Sequence, residues 1–222
     1  MTNKLKRDQL PVKKAENWGK NFQDEIKKTF NLKVSRIIFQ KATYKALIGE
    51  NENRVRIYLG LNTEKTEGQY ELCAYAVSAF LLGSGDVYAD YETPVFKLDK
   101  KNIDVSDDIE SVIESIRMYR KWRAGELDPE HAGAAFRQYI YPNAYLLTKY
   151  ELHELFNVQN SPEVSIDFGI SKTMTTMLSP MSATSVDTNL KSATMEEDES
   201  GPFDFGEFCP PNCDERSVYN PS

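Results

Sequence analysis

Two histidines and three cysteines in 222 residues leave this chain poor in the side chains that most often do chemistry. Neither His131 nor His153 stands in a metal or catalytic motif, and three cysteines do not make a disulfide framework. There is no phosphate loop, because Gly83-Ser84-Gly85 lacks the lysine and the remaining spacing. No serine or cysteine nucleophile can be paired with a base, and the carboxylates fall in charge runs or at helix starts, where solvation and capping account for them. Glu151, His153 and Glu154 could be drawn as a site, but a solvated helix face explains them better. No apolar run approaches the ~18 residues needed to span a bilayer. The basic start, Met1-Thr2-Asn3-Lys4-Leu5-Lys6-Arg7, has no apolar signal-peptide core. These absences argue against an enzyme, a cofactor and a membrane partner, and they favour the cytoplasm.

What is present is unevenly charged. Residues 1–33 carry nine Lys/Arg against four Asp/Glu, residues 34–156 fifteen against nineteen, and residues 157–222 three against eleven. The acidity therefore belongs to the C-terminal third, which repels phosphate backbones and makes nucleic acid an unlikely partner. The stretch Arg117-Met118-Tyr119-Arg120-Lys121-Trp122-Arg123 has the composition of a nucleic-acid contact. Cations in a helix's last turn also complement its dipole, which is the simpler reading here.

The pattern predicts an α+β fold. Pro11 opens an amphipathic helix with Ala15, Trp18, Phe22, Ile26 and Phe30 on one face and Lys13, Lys14, Lys20, Lys27 and Lys28 on the other. A short helix over 40–48 ends at Gly49, and alternation predicts strands over 53–62, 69–80 and 87–98, the last broken at Pro94. Together these make a small antiparallel core over 10–100, with Cys73 as inert filling. A helical subdomain over 101–156 follows: one helix capped at Ser106 and ended by Gly125, a second burying Ala132, Ala135, Phe136 and Tyr139, and a short third opened by a Thr148/Glu151 capping box. Residues 157–202 turn acidic and rich in Ser, Thr and Met without periodicity, which reads as a disordered linker. Residues 1–9 read as a disordered terminus.

The tail, residues 203–222, stands out. Phe203, Phe205 and Phe208 precede Cys209, Pro210, Pro211, Asn212 and Cys213. The spacing does not suit a closed zinc site within one chain, although a site shared between chains stays open. The prolines forbid the helix that lowers a redox thiol's pKa, and Glu207, Asp214 and Glu215 would raise it. A loop disulfide is possible in an oxidising setting. So is a strand of the body's own sheet, or an extended recognition segment whose phenylalanines supply burial.

The pieces Leu10-Pro11-Val12-Lys13-Lys14-Ala15-Glu16-Asn17-Trp18, Val55-Arg56-Ile57-Tyr58-Leu59-Gly60-Leu61, Tyr70 to Ser78, and Cys209 to Cys213 carry a resemblance. The chain resembles an uncharacterised family of small bacterial proteins running from an N-terminal amphipathic helix through an IRIYxGL-type strand to a Cys-Pro-Pro-x-Cys tail. The match covers residues 10–80 and 203–213, with 100–200 an insertion, and it implies an architecture and not a reaction.

The expected function is a non-enzymatic interaction or assembly module. Its tail residues Phe203, Phe205, Phe208, Cys209, Pro210, Pro211 and Cys213 would dock on a protein partner or on another copy. The alternatives are a carrier whose tail is cleaved or modified, and a metal or redox module using Cys209 and Cys213.

Overall fold

The computed structural model describes residues 6–28, 32–62, 68–83, 86–127, 140–181, 200–204, 206–209 and 213–221. In chain order its elements are β1 (Gln9–Pro11), α1 (Val12–Lys28), β2 (Leu32–Val34), β3 (Ile37–Gln40), α2 (Lys41–Ile48), β4 (Arg54–Leu61), β5 (Tyr70–Leu81), β6 (Tyr88–Lys97), β7 (Ile103–Asp104) and α3 (Ile109–Ala124). There follow β8 (Ala144–Leu147), α4 (Lys149–His153), a π-helical turn (Glu154–Val158), β9 (Glu163–Ile170), β10 (Met174–Met181), β11 (Ser200–Asp204) and β12 (Gly206–Cys209). The fold is α+β, built on two sheets in place of one small one.

The seven-stranded sheet runs β12-β8-β4-β5-β6-β7, with β2 added to β5 as the one parallel pair. Its centre is β4, where alternation sends Val55, Ile57, Leu59 and Leu61 to one face. The other face, with Arg56 and Tyr58, is also buried, so both sides of β4 are covered. Gly60 allows this: a Cβ there would meet the Ser115 hydroxyl and lie 2.8 Å from the Tyr75 ring, so only glycine lets α3 lie this close. β6 runs through Pro94, and the irregularity shows instead as a register shift opposite Val77 and Ala79. The five-stranded sheet runs β1-β11-β10-β9-β3 and shares one apolar core with the first. α1 lays Phe22 on Phe168 of β9, with ring centres 5.5 Å apart, and leaves its lysine face in water. Phe30 and residues 128–139, with the predicted second helix, lie outside the described residues.

Several sequence expectations need correction. Residues 101–156 are not a separate helical subdomain, because β8 is inserted between β4 and β12. Residues 157–202 are not linker throughout: β9 and β10 pair over eight residues in the middle of the five-stranded sheet. Their Ser, Thr and Met composition hid strands whose Met174, Thr175, Thr176 and Leu178 are all buried. Only 182–199 of that linker lies outside the described residues. The N-terminal residues from Lys6 onward are ordered, and Pro11 closes β1 instead of opening α1. β2 and β3 are close in sequence but belong to different sheets. Asp108, not Ser106, caps α3, its carboxylate accepting from the Ser111 N–H, while Gly125 ends the helix with φ 78°. Thr148 makes no capping hydrogen bond.

Candidate interaction site

The tail is extended, but it is paired into the body. Gly201 to Asp204 continue β11 between β1 and β10, and after Phe205 the chain joins the other sheet as β12 beside β8. Residues 200–204 thus belong to one sheet and residues 206–209 to the other. Phe203 is 1% exposed in the common core, and half-buried Phe208 stands edge-on to Tyr145. Cys209 is 1% exposed and disulfide-bonded to half-buried Cys213, with Cα atoms 4.8 Å apart. Phe205, Pro210 and Pro211 lie outside the described residues. The structure therefore places Phe203 and Cys209 inside the protein. Of the four described tail residues named from the sequence, only Cys213 borders an opening.

Beyond the disulfide the chain lies along β6. Asp214 accepts from the Asp90 N–H at 2.9 Å through Oδ2 and from the Arg216 N–H at 3.0 Å through Oδ1. The buried Tyr219 donates its hydroxyl to the Glu92 carbonyl and sets its ring 5.7 Å from Tyr58. Arg120 donates to the Asn220 side chain and the Pro221 carbonyl, and Arg123 to Asn143. Arg120 and Arg123 are thus turned inward at the end of α3, while Arg117 pairs with Glu114 at the surface.

Under this segment lies a buried polar network. Arg56 pairs with Asp90, both side chains almost wholly buried, and donates to the Tyr88 carbonyl at 3.2 Å. Tyr58 donates to the second Asp90 oxygen. Burial pushes the Asp90 carboxyl up, while the Arg56 charge and the Tyr58 hydroxyl pull it back. Burial, with the nearby Glu92 and Asp90 charges, raises the Tyr219 phenol to about 12. Both Asp90 oxygens and both terminal guanidinium nitrogens of Arg56 are answered, which is what keeps a buried ion pair tolerable.

Between this end of β6 and residues 213–218 is an opening of about 540 Å³. Its apolar lining includes Leu82, Val87 and Tyr91, which are 45%, 60% and 40% exposed. Glu92 and Glu215 add exposed carboxylates and Arg216 a single exposed cation. Leu81, half exposed, extends the apolar surface. The sequence reading missed this face because Leu81-Leu82 and Val87 look like strand ends continuing into a core. Only their exposure in the folded chain marks them.

No family model, curated protein or solved structure matches this chain. Among the described residues no helix is long and apolar enough to cross a membrane.

Proposed function

We propose that the protein is a non-enzymatic interaction module whose docking face is the opening between β6 and the C-terminal segment. Its occupant is an extended peptide segment of a protein partner, carrying lysine or arginine next to apolar side chains. One observation carries this reading: Leu82, Val87 and Tyr91 stay exposed around a concave opening bordered by Glu92, Asp214 and Glu215. Exposed apolar surface rimmed by polar groups is the common mark of a binding site. The surplus of carboxylates favours a cationic occupant. The tail contributes a wall to this face, Cys213 to Val218, and its anchors are Phe203, Phe208 and Cys209.

A fluorescein-labelled peptide alternating lysine with valine, leucine and tyrosine is the direct probe, with its glutamate counterpart as control. The basic peptide is expected to bind in the micromolar range and to weaken at least tenfold in a Glu92→Lys/Glu215→Lys protein and in a Leu82→Ser/Val87→Ser protein. Equal binding of the acidic peptide, or indifference to both variants, overturns the assignment. A dimer in light scattering that the same substitutions dissolve would give the face to a second copy and also overturn it.

The cytoplasm, favoured by the N-terminal residues, and the Cys209–Cys213 bond make opposite demands, since cytosolic thiols are kept reduced. Mass analysis of protein isolated with its thiols blocked decides between them.

A further inference from the structure

The corner where β1 meets α4 contains the least satisfied group of the described residues. Glu151 is 1% exposed, yet neither carboxylate oxygen accepts a hydrogen bond of ordinary geometry from another residue. The nearby Thr148 hydroxyl, which the sequence pattern assigns to capping, is also buried and unpaired. The Asp8 carboxyl lies near enough to raise the Glu151 carboxyl, and its Oδ2 is likewise buried without a hydrogen bond. Two ionised carboxylates can only accept, so they have no hydrogen bond to make with one another. A single proton supplies the missing donor and removes one of the two charges.

Asp8 stands at the foot of a weakly held element. β1 is three residues long, lies at the edge of its sheet and pairs only with β11. Asp8 itself has φ 61°, outside the region most residues prefer, and its carbonyl accepts from the Asp204 N–H at 2.9 Å. Leu10 then plugs a small cluster with Ala15, Trp18 and Met177.

We propose that the Asp8–Glu151 carboxyl pair is a proton-operated latch: with one proton shared, residues 6–11 are fastened to α4 and β11, and without it they detach and uncover the outer edge of β11.

Among the described residues the one cation beside the pair is Arg7, on its solvent side. On the N-terminal segment, Lys6 is bonded to Glu154, and the Arg7 Nε lies 3.0 Å from Asp8 with its guanidinium over the Tyr150 ring. Glu154 is held below the usual carboxylate range first by its bond to Lys6, so that cation is already engaged. On α4, Lys149 and His153 are exposed. On β11, Asp204 is raised by burial, is bonded to Thr175, and feels Lys14 of α1 as well as Asp8. Arg7 is thus the single cation acting on the pair from beside it, and it opposes a desolvation that is the larger effect: the Glu151 carboxyl is raised to about 7, with the Asp8 carboxyl adding to the rise.

The test is amide hydrogen exchange of the full chain from pH 5 to 8.5, corrected for intrinsic rates and read on peptides covering residues 6–15 and 200–204. Opening of these peptides is expected to rise on the order of a hundredfold across neutral pH, with β4 and β5 unaffected. In Glu151→Gln the rise should vanish. Asp8→Asn, a milder change that gives Glu151 a donor, should move the midpoint down by a unit or more. Exchange independent of pH in the unmodified protein overturns the latch, as does a midpoint that stays in place in both variants.

Discussion

Asp90 and Glu151 are two buried carboxyls at opposite fates. Both are raised by desolvation before anything else acts on them. Asp90 is answered by a guanidinium, a phenol and, through its backbone N–H, by the C-terminal segment. Glu151 is answered by another acid. Burial sets the same problem in both places, and the neighbours decide whether the result is an anchor or a group that must exchange a proton. At the first corner the tail is pinned down; at the second an edge strand is held conditionally.

The largest effect should come from breaking the satisfied corner. Arg56→Met leaves Asp90 buried without its cation and is expected to cost about 3–5 kcal/mol, measured by denaturant unfolding. Adding Asp90→Asn to it should recover part of that loss, because the uncompensated charge then disappears.

The unsatisfied corner should show itself through pH. A folded-state value near 7 for Glu151, against an ordinary 4.5, means that the folded protein holds a proton the unfolded chain has released. The resulting stability is fully present below about 4.5 and is lost as pH rises through 7, a change of about 3 kcal/mol at most. Denaturant midpoints at pH 5 and pH 8 should converge in Glu151→Gln while remaining apart in the unmodified protein.

A smaller loss is expected from Cys209→Ser/Cys213→Ser. The loop is short, so removing the bond should cost about 2 kcal/mol and loosen residues 213–221 before the sheets. Equal exchange of this segment with and without the bond would show that Asp214 and Tyr219 hold it unaided. Gly60→Ala should cost about 1–3 kcal/mol by pushing α3 away from β4, on the strand that also carries Arg56 and Tyr58. Substitution of Val87 by serine, exposed as it is, should change stability by less than about 0.5 kcal/mol, so that any binding loss is read at the surface.

Much of the first half of the fold was open to reading. β4 and β5 announce themselves by alternation and by an apolar pattern on both faces, α2 by its terminal Gly49, and α1 by its aromatic stripe. β9 and β10 were missed because threonine, serine and methionine suit a buried strand as well as an unfolded tether, and composition does not distinguish them. The tail was recognised as extended and aromatic, and a strand of the body's own sheet was among its readings, but not which strands it would join. Leu82 and Val87 carry no signal of their own, since an exposed valine and a buried one are written the same way. Glu151 looked like a solvated helix residue because a carboxylate's default environment is water.

The sequence by itself determined part of the local grammar of this protein: the stretches that become α1, α2, β4 and β5, where the acidity gathers, and that residues 203–213 gather aromatic and cysteine side chains. Those are properties of neighbours a few residues apart, set by backbone sterics and by the period of apolar side chains. Only the tertiary structure decided that this ending closes two sheets at once, that Asp90 meets Arg56 across 34 positions of chain, and that Asp8 meets Glu151. Pairings between distant residues depend on which surfaces the whole core leaves no other way to bury, and no short stretch of sequence contains that information.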